Sequence, residues 1–467
     1  MITLKSTLLL TAVALGAQTL VFAQSQQQQQ HLLDSVFTAS VQNNKFNGNV
    51  LIADKGKVLF RKSYGIADEA TGRKLNPESI FELASVSKQF TAMAIVQLQK
   101  QGKLQYDDPV AKYIPELSFY KGITVRNLLN HTGGLPDYME LFESKWDKTK
   151  SATNEDVIKI FAQHKPDTLF GPGAKYEYSN TGYALLGAII ERVSKKTFGA
   201  YLKEKVFKPL KMEHTFVYRS RYQPQKVDNY ALGYVEDSLG NKVLTNTFGK
   251  DYYTYYLDGI VGDGMVNSTL DDLLKWDRAL YTDKLVNEAD RKLIFASVPT
   301  ADGKETNYGF GWQVSQSKQY GKIASHSGGW AGYITYIERH MDNDKTIIIL
   351  QNNMTQFAKI PAKDVRKVLY NEPFPVVVPM KKAVLTAEDL KRYEGVYGSA
   401  QIPVKLTIAS HGDVLTAQAT GQDAFPLDAY EQHIFRFDEA KIQITFNPEA
   451  KTLVIDQAGH PVTLTRE

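Results

Sequence analysis

Residues Ser85–Leu104 read as a helix that is apolar on more than one face, with Val86, Phe90, Met93, Ala94, Ile95, Val96 and Leu98 spread around it and Gly102 placed to cap its end. Such a helix has no solvent side, so other layers must enclose it. The chain has 467 residues, enough to bury a full core in two or three domains at roughly 100–200 residues each. Two compositional regimes follow. Helix and strand patterns alternate up to about Tyr370. Beyond Thr386 come short strands with one apolar face: Val404/Leu406/Ile408, Leu415/Ala417/Ala419, Phe435/Phe437, Ile442/Ile444/Phe446, Leu453/Ile455 and Val462/Leu464. That second pattern predicts a small all-β barrel or sandwich. Between the two, Pro373–Pro379 is hostile to both helix and central strand. The expected organisation is a mixed α/β domain over 24–372, an extended linker over 373–385 and a β domain over 386–467.

Within the first regime, Asn49–Phe60 reads as a hairpin turning at Asp54-Lys55-Gly56, and Tyr333–Gln351 as two strands around Asp342-Asn343-Asp344. Further helices are predicted over Asn154–Gln163, Tyr183–Lys195 and Leu270–Leu280.

Met1–Lys5 carries a positive charge, Ser6–Phe22 is uncharged and largely apolar or small, and Val21-Phe22-Ala23 offers a cleavage site before Gln24. This is the layout of a secretory signal peptide, residues 1–23, and it predicts an exported, periplasmic or secreted protein. The glutamine run Gln26–Gln30 reads as a low-complexity, disordered leader. No other stretch approaches the ~18 apolar residues a span requires, so no stable membrane insertion is expected after cleavage.

Composition restricts the chemistry. With 55 Lys+Arg against 51 Asp+Glu and no basic run interleaved with aromatics, nucleic acid is not the expected partner. The absence of cysteine excludes disulfides, thiolate metal sites and a cysteine nucleophile. The nine histidines are scattered without a ligand-like pair, and no metal or other cofactor is called for. No His-Glu-x-x-His, phosphate loop or Gly-x-Ser-x-Gly elbow is present. What remains is oxygen and nitrogen chemistry on a small-molecule or peptide substrate.

Ser85-Val86-Ser87-Lys88 opens the apolar helix. Ser118–Lys121 and Ser315–Lys318 share the Ser-x-x-Lys spacing, but they lie in loop-like sequence. At a helix tip, unpaired N–H groups favour developing negative charge, and positions i and i+3 share a face, so the Lys88 amine can reach the Ser85 hydroxyl as a base. The alternative is a plain helix cap, with Lys88 in solvent. Tyr178-Ser179-Asn180 follows the turn Gly171-Pro172-Gly173. Its tyrosine hydroxyl and asparagine amide can point into one cleft, to move a proton and to hold a substrate carbonyl. His326-Ser327-Gly328-Gly329 supplies glycines that permit close backbone approach to a ligand. A capped helix and a hydrogen-bonded turn are the ordinary readings of these two segments.

In this order the three segments resemble the serine β-lactamase and penicillin-binding-protein superfamily, in the branch of class C β-lactamases, D-Ala-D-Ala carboxypeptidases, D-aminopeptidases and related esterases. Phe81-Glu82-Leu83-Ala84, Leu128–Pro136 (with His131-Thr132-Gly133-Gly134) and Gly262-Asp263-Gly264-Met265 support the resemblance, which covers about residues 31–370. It implies a β-lactamase/transpeptidase-like fold: an antiparallel sheet flanked by helices, plus a helical lobe, with the site between them. It also implies an acyl-enzyme hydrolase in which Ser85 is the nucleophile, Lys88 its base, Tyr178 and His326 the remaining catalytic pair, and Asn180, Gly328, Gly329 and the Ser85 amide the substrate and oxyanion contacts. His131 belongs to a glycine-rich turn read as structural. The implied substrates are cell-wall peptides, with esters or β-lactams as alternatives and a non-catalytic peptidoglycan sensor as the third. Histidine at position 326, where class C enzymes usually carry lysine, disfavours strong β-lactamase activity. The C-terminal segment, opening with Tyr393-Glu394-Gly395-Val396-Tyr397, resembles lipocalin-like modules. The run Tyr252–Tyr256 is read either as cleft lining or as packing.

Overall fold

The computed structural model describes residues 26–374 and 382–467, apart from 239, 250, 356, 400, 401, 432, 438, 439, 441, 458 and 459. The signal segment and residues 375–381 of the proline-rich stretch lie outside the described residues. The chain separates into two compact units, Met1–Val376 and Val377–Glu467.

A six-stranded sheet organises the first unit, in the order Gln313–Ser317, Gly321–Trp330, Tyr333–His340, Lys345–Gln351, Gly48–Asp54, Lys57–Tyr64. All five pairings are antiparallel. The adjacent strands Lys345–Gln351 and Gly48–Asp54 are apolar on both faces, because each face is covered. Val50, Ile52, Ile347 and Ile349 pack against Val36 and Phe37 of the helix over residues 26–42 and Val365 and Val368 of the helix Ala362–Leu369. Leu51, Ala53, Ile348 and Leu350 face the larger core around the central helix Lys88–Lys100. Every residue of that helix from Lys88 to Leu98 is buried, as its all-round apolarity requires.

The predicted elements are found close to their expected bounds: the hairpin strands above, and helices Asn154–His164, Asn180–Ser194 and Leu270–Ala279. The leader expectation needs correction. Residues 26–42 are helical, and Gln29 and Gln30 donate to the carbonyls of Val368 at 3.2 Å and Leu59 at 2.7 Å. The buried Leu33, Val36 and Phe37 anchor that helix, so the glutamines are its first turns.

The second unit is a closed antiparallel barrel of eight strands. Two of them, Gly395–Ser399 and Phe425–Tyr430, are additional to the predicted set. Its interior is filled by side chains, with Tyr393, Phe435 and Phe446 in mutual ring contact and Leu406, Ile408, Leu415, Ile444 and Leu453 buried around them.

Candidate active site

Ser85 lies in a single 3-10 turn, Ala84–Ser87, that runs directly into the central helix. Ala84 just before it holds a left-handed φ of 48°, a conformation a non-glycine residue keeps only when its surroundings impose it. The imposing contacts are visible. Thr335 of the sheet donates its hydroxyl to Leu83 O at 2.7 Å. Gly328 lies so close that a Cβ there would stand 2.3 Å from the same carbonyl oxygen. The sheet therefore fixes the turn that carries the serine.

Lys88 is fully buried one helical turn on. Its Nζ lies 3.1 Å from Ser85 Oγ, 3.0 Å from Asn180 Oδ1 and 2.9 Å from Asp263 O. The last two are carbonyl oxygens and can only accept. They fix two N–H donors and leave the third tetrahedral position of the nitrogen directed at Ser85 Oγ, which is the geometry of a base against a hydroxyl. The Asn180 amide is itself oriented, its Nδ2 donating to Asp137 Oδ2 at 3.2 Å. Ser179 caps the helix Asn180–Ser194 by accepting from Gly182 N, which places Asn180 at the start of that helix.

Tyr178 borders the cleft with its ring over Lys88, Nζ lying 4.9 Å from the ring centroid. Behind it stand two buried imidazoles. His131 accepts from Ser179 N–H through Nδ1 at 3.0 Å and lies 4.4 Å from the Tyr178 ring, centroid to centroid. His326 has Nδ1 2.6 Å from Ser327 O and Nε2 2.8 Å from Tyr308 Oη. Because a carbonyl cannot donate, Nδ1 carries the proton and Nε2 accepts from the tyrosine. Burial, and then neighbouring Lys88, lower the pKa of His326 to about 3. Burial likewise drives that of His131 well below the ordinary range. Both rings are neutral at physiological pH, and both nitrogens of His326 are engaged away from the cleft.

Gly329, next to the tightly packed Gly328, is exposed in the cleft, where a Cβ would meet only Met354 Cε at 4.0 Å. The cleft has a volume of about 330 Å³ and brings Ser85, Tyr178, Asn180 and Gly329 together with Glu82, Tyr138, Tyr253, Asp263 and Trp330. Of the predicted site residues, Lys88 lies immediately behind Ser85, Gly328 holds the serine turn, and His326 stands in the layer behind Tyr178. Tyr253 of the tyrosine run lines the cleft, whereas Tyr256 is buried and donates to Glu143 Oε2 at 2.9 Å.

Sequence reading assigned no role to Glu82, Asp137, Tyr138, Asp263 or Tyr308. Glu82 and Asp263 lie within the segments Phe81–Ala84 and Gly262–Met265, and that proximity to the motif residues is the signal the sequence offers. Tyr138 donates to Asp263 Oδ2 at 2.9 Å, while burial holds the Asp263 carboxyl above its usual range against the pull of Lys88. Burial also pushes the Glu82 carboxyl up to about 8, with Asp258 adding to the effect and Arg221 opposing it. Among the described residues no cluster suited to a metal ion occurs.

A serine and a buried lysine sharing a hydrogen bond beside this sheet define a serine hydrolase of the β-lactamase and penicillin-binding-protein superfamily. The chain matches the Beta-lactamase family over residues 33–370 and belongs to it. It is 36% identical over 437 residues to penicillin-binding protein 4* of Bacillus subtilis (strain 168), covering 91% of this chain and 96% of that one. Among solved structures, a penicillin-binding protein homologue from Pyrococcus abyssi superposes with a TM-score of 0.64 at 23% identity, covering 93% of this chain and 99% of that one. A D-amino acid amidase from Ochrobactrum anthropi SV3 superposes with a TM-score of 0.60 at 22% identity, covering 73% and 99%. These two establish the likeness of fold.

Proposed function

We propose that the protein is an exported hydrolase of D-amino-acid-containing peptides and amides that works through an acyl-enzyme on Ser85. The observation that carries this reading is the position of Lys88 Nζ, 3.1 Å from Ser85 Oγ with its other donors held by two carbonyl oxygens. Ser85 Oγ attacks the substrate carbonyl carbon and its proton passes to Lys88. The oxyanion is held by the amides of Ser85 and Gly329. Tyr178 gives its hydroxyl proton to the leaving nitrogen as the carbon–nitrogen bond breaks and is reprotonated by Lys88, which returns the amine to its neutral form. Water then cleaves the acyl-serine. Asn180 fixes Lys88 and faces the substrate. His326, turned away from the cleft, positions this group through Tyr308 and the strand that carries Gly329.

The D-amino acid preference is supported by the likeness to the D-amino acid amidase and to the penicillin-binding proteins. Export is supported by the charge and hydropathy layout of residues 1–23. The test is covalent labelling by a fluorophosphonate, with intact mass and peptide mapping, together with turnover of Ser85→Ala. The wild type should be labelled on Ser85, and the variant should lose turnover by roughly three orders of magnitude or more while remaining folded. Wild-type-like turnover in the variant rejects the assignment. Sequencing the mature N-terminus tests cleavage after Ala23.

A further inference from the structure

The cleft that holds Ser85 is acidic. Among the described residues lining it, Glu82 and Asp263 bear carboxyl groups and none bears a cationic side chain. Asp263 has a partner in the Tyr138 hydroxyl. Glu82 has none: it lines the cleft in the strand just before the Ser85 turn and is only 6% exposed. No described residue forms a hydrogen bond or ion pair with its carboxyl. The groups around it are engaged elsewhere. Arg221, whose charge reaches it, is ion-paired with Asp258 at 3.6 Å. Tyr230 and Tyr333 donate to Asn267 Oδ1 at 3.1 Å and Ala231 O at 2.8 Å. Asp258, which accepts from the amides of Arg221 and Tyr222, both at 2.7 Å, adds negative charge on the same side.

A buried carboxyl with neither donor nor counter-ion is costly, and in a cleft open to substrate the missing partner can arrive with the substrate. Burial keeps this carboxyl in its neutral form, and a ligand carboxylate would oppose its ionisation further, whereas an ammonium supplies the counter-charge and donors that let it ionise. The rings of Tyr253 and Trp330, 5.1 Å apart in an edge-to-face pair, line the same cleft and offer faces that attract a cation. Resting on the acyl-enzyme reading above, we propose that Glu82 receives a primary ammonium of the acyl donor, so that the preferred substrates are amides, esters and peptides of D-amino acids carrying a free amine rather than peptides held by a terminal carboxylate.

The full-length enzyme is assayed on the p-nitroanilides of D-alanine, N-acetyl-D-alanine and Nα-acetyl-D-lysine, as wild type and as Glu82→Gln. Wild type should favour D-alanine over its N-acetyl form. In the variant that preference, as a ratio of kcat/KM, should fall roughly ten- to hundredfold, chiefly through KM. A preference for Nα-acetyl-D-lysine that Glu82→Gln abolishes would support the same ammonium contact with a side-chain amine as its source. Preference for N-acetyl-D-alanine in the wild type, or equal losses on all three substrates in the variant, overturns the proposal. Fluorophosphonate labelling separates the failures. If wild type is labelled and active without such discrimination, the Glu82 contact alone is rejected; an unlabelled wild type rejects the serine-hydrolase reading beneath it. Should the variant lose labelling through misfolding, the wild-type ratio between D-alanine and N-acetyl-D-alanine decides.

Discussion

Replacing Gly328 by alanine tests whether the sheet fixes the serine turn. The added Cβ would lie 2.3 Å from Leu83 O and 2.3 Å from Thr335 Oγ1, about 1 Å inside a normal contact of ~3.5 Å. Neither neighbour can yield freely, since one is backbone and the two are hydrogen-bonded to each other at 2.7 Å. The strand Gly321–Trp330 and the Leu83–Ser85 turn must therefore separate. Overpacking of this kind costs about 1–3 kcal/mol, and losing the buried hydrogen bond adds about 1 kcal/mol. The melting temperature should fall by about 4–8 °C at ~2 °C per kcal/mol for a large domain. Displacing Ser85 by about 1 Å should lower kcat/KM by about a hundredfold. Gly329→Ala is the control, because its Cβ meets only Met354 Cε at 4.0 Å; it should melt with the wild type. The assay is scanning calorimetry paired with fluorophosphonate labelling rates. A Gly328→Ala protein that melts and labels like the wild type would refute the view that the sheet holds this turn in place.

Other outcomes follow from the buried charges. The carboxyl of Glu82 is raised from its ordinary 4.5 to about 8, so the unliganded fold loses stability as pH rises through that interval, by up to about 5 kcal/mol at ~1.4 kcal/mol per decade. Urea midpoints at pH 5 and pH 9 should show this loss in the wild type and a much smaller one in Glu82→Gln. His326 titrates in the opposite sense: its pKa is lowered from 6.5 to about 3, so its contribution is complete above pH 6.5 and is lost as pH falls toward 3. Denaturation at pH 7 and pH 4 should therefore separate the wild type from His326→Gln, the variant losing less. Asp277 is buried between Arg339 and Arg278 and accepts from Arg339 Nε at 2.9 Å; Asp277→Asn strands the fully buried Arg339 and should cost about 3–5 kcal/mol by chemical denaturation at neutral pH.

Sequence patterns carried the local elements well, because period and punctuation are local properties. The all-round apolarity of residues 86–98 announced a buried helix, and the alternation of Ile442, Ile444 and Phe446 announced a strand. The strand Phe425–Tyr430 escaped because a proline inside a short run argues against a strand; Pro426 occupies an exposed position and is nevertheless paired opposite Thr416 in the barrel. The helix over 26–42 escaped because its first turns are glutamine and its apolar anchor begins only at Leu33. At the site, Ser85 and Lys88 were legible because one helical turn joins them. Asp263, 175 positions from Lys88, and Tyr308, 18 positions from His326 across the edge of the sheet, become partners only through tertiary packing. No spacing rule encodes such contacts.

The neutrality of the two histidines bears on how the site works. An imidazole beside a nucleophilic serine is ordinarily its base, yet His326 has its proton fixed on Nδ1 by Ser327 O and its Nε2 filled by Tyr308. His131 has Nδ1 filled by the Ser179 amide. Burial penalises the protonated form of either ring, and the neighbouring Lys88 adds to that penalty, which is why both titrate far below neutrality. Among the described residues, Lys88 is therefore the titratable group in hydrogen-bond contact with Ser85 Oγ, and Tyr178 covers it with a ring rather than competing for its donors. Neither imidazole is then placed to take the Ser85 proton, and in the proposed path it passes to Lys88 and leaves through Tyr178.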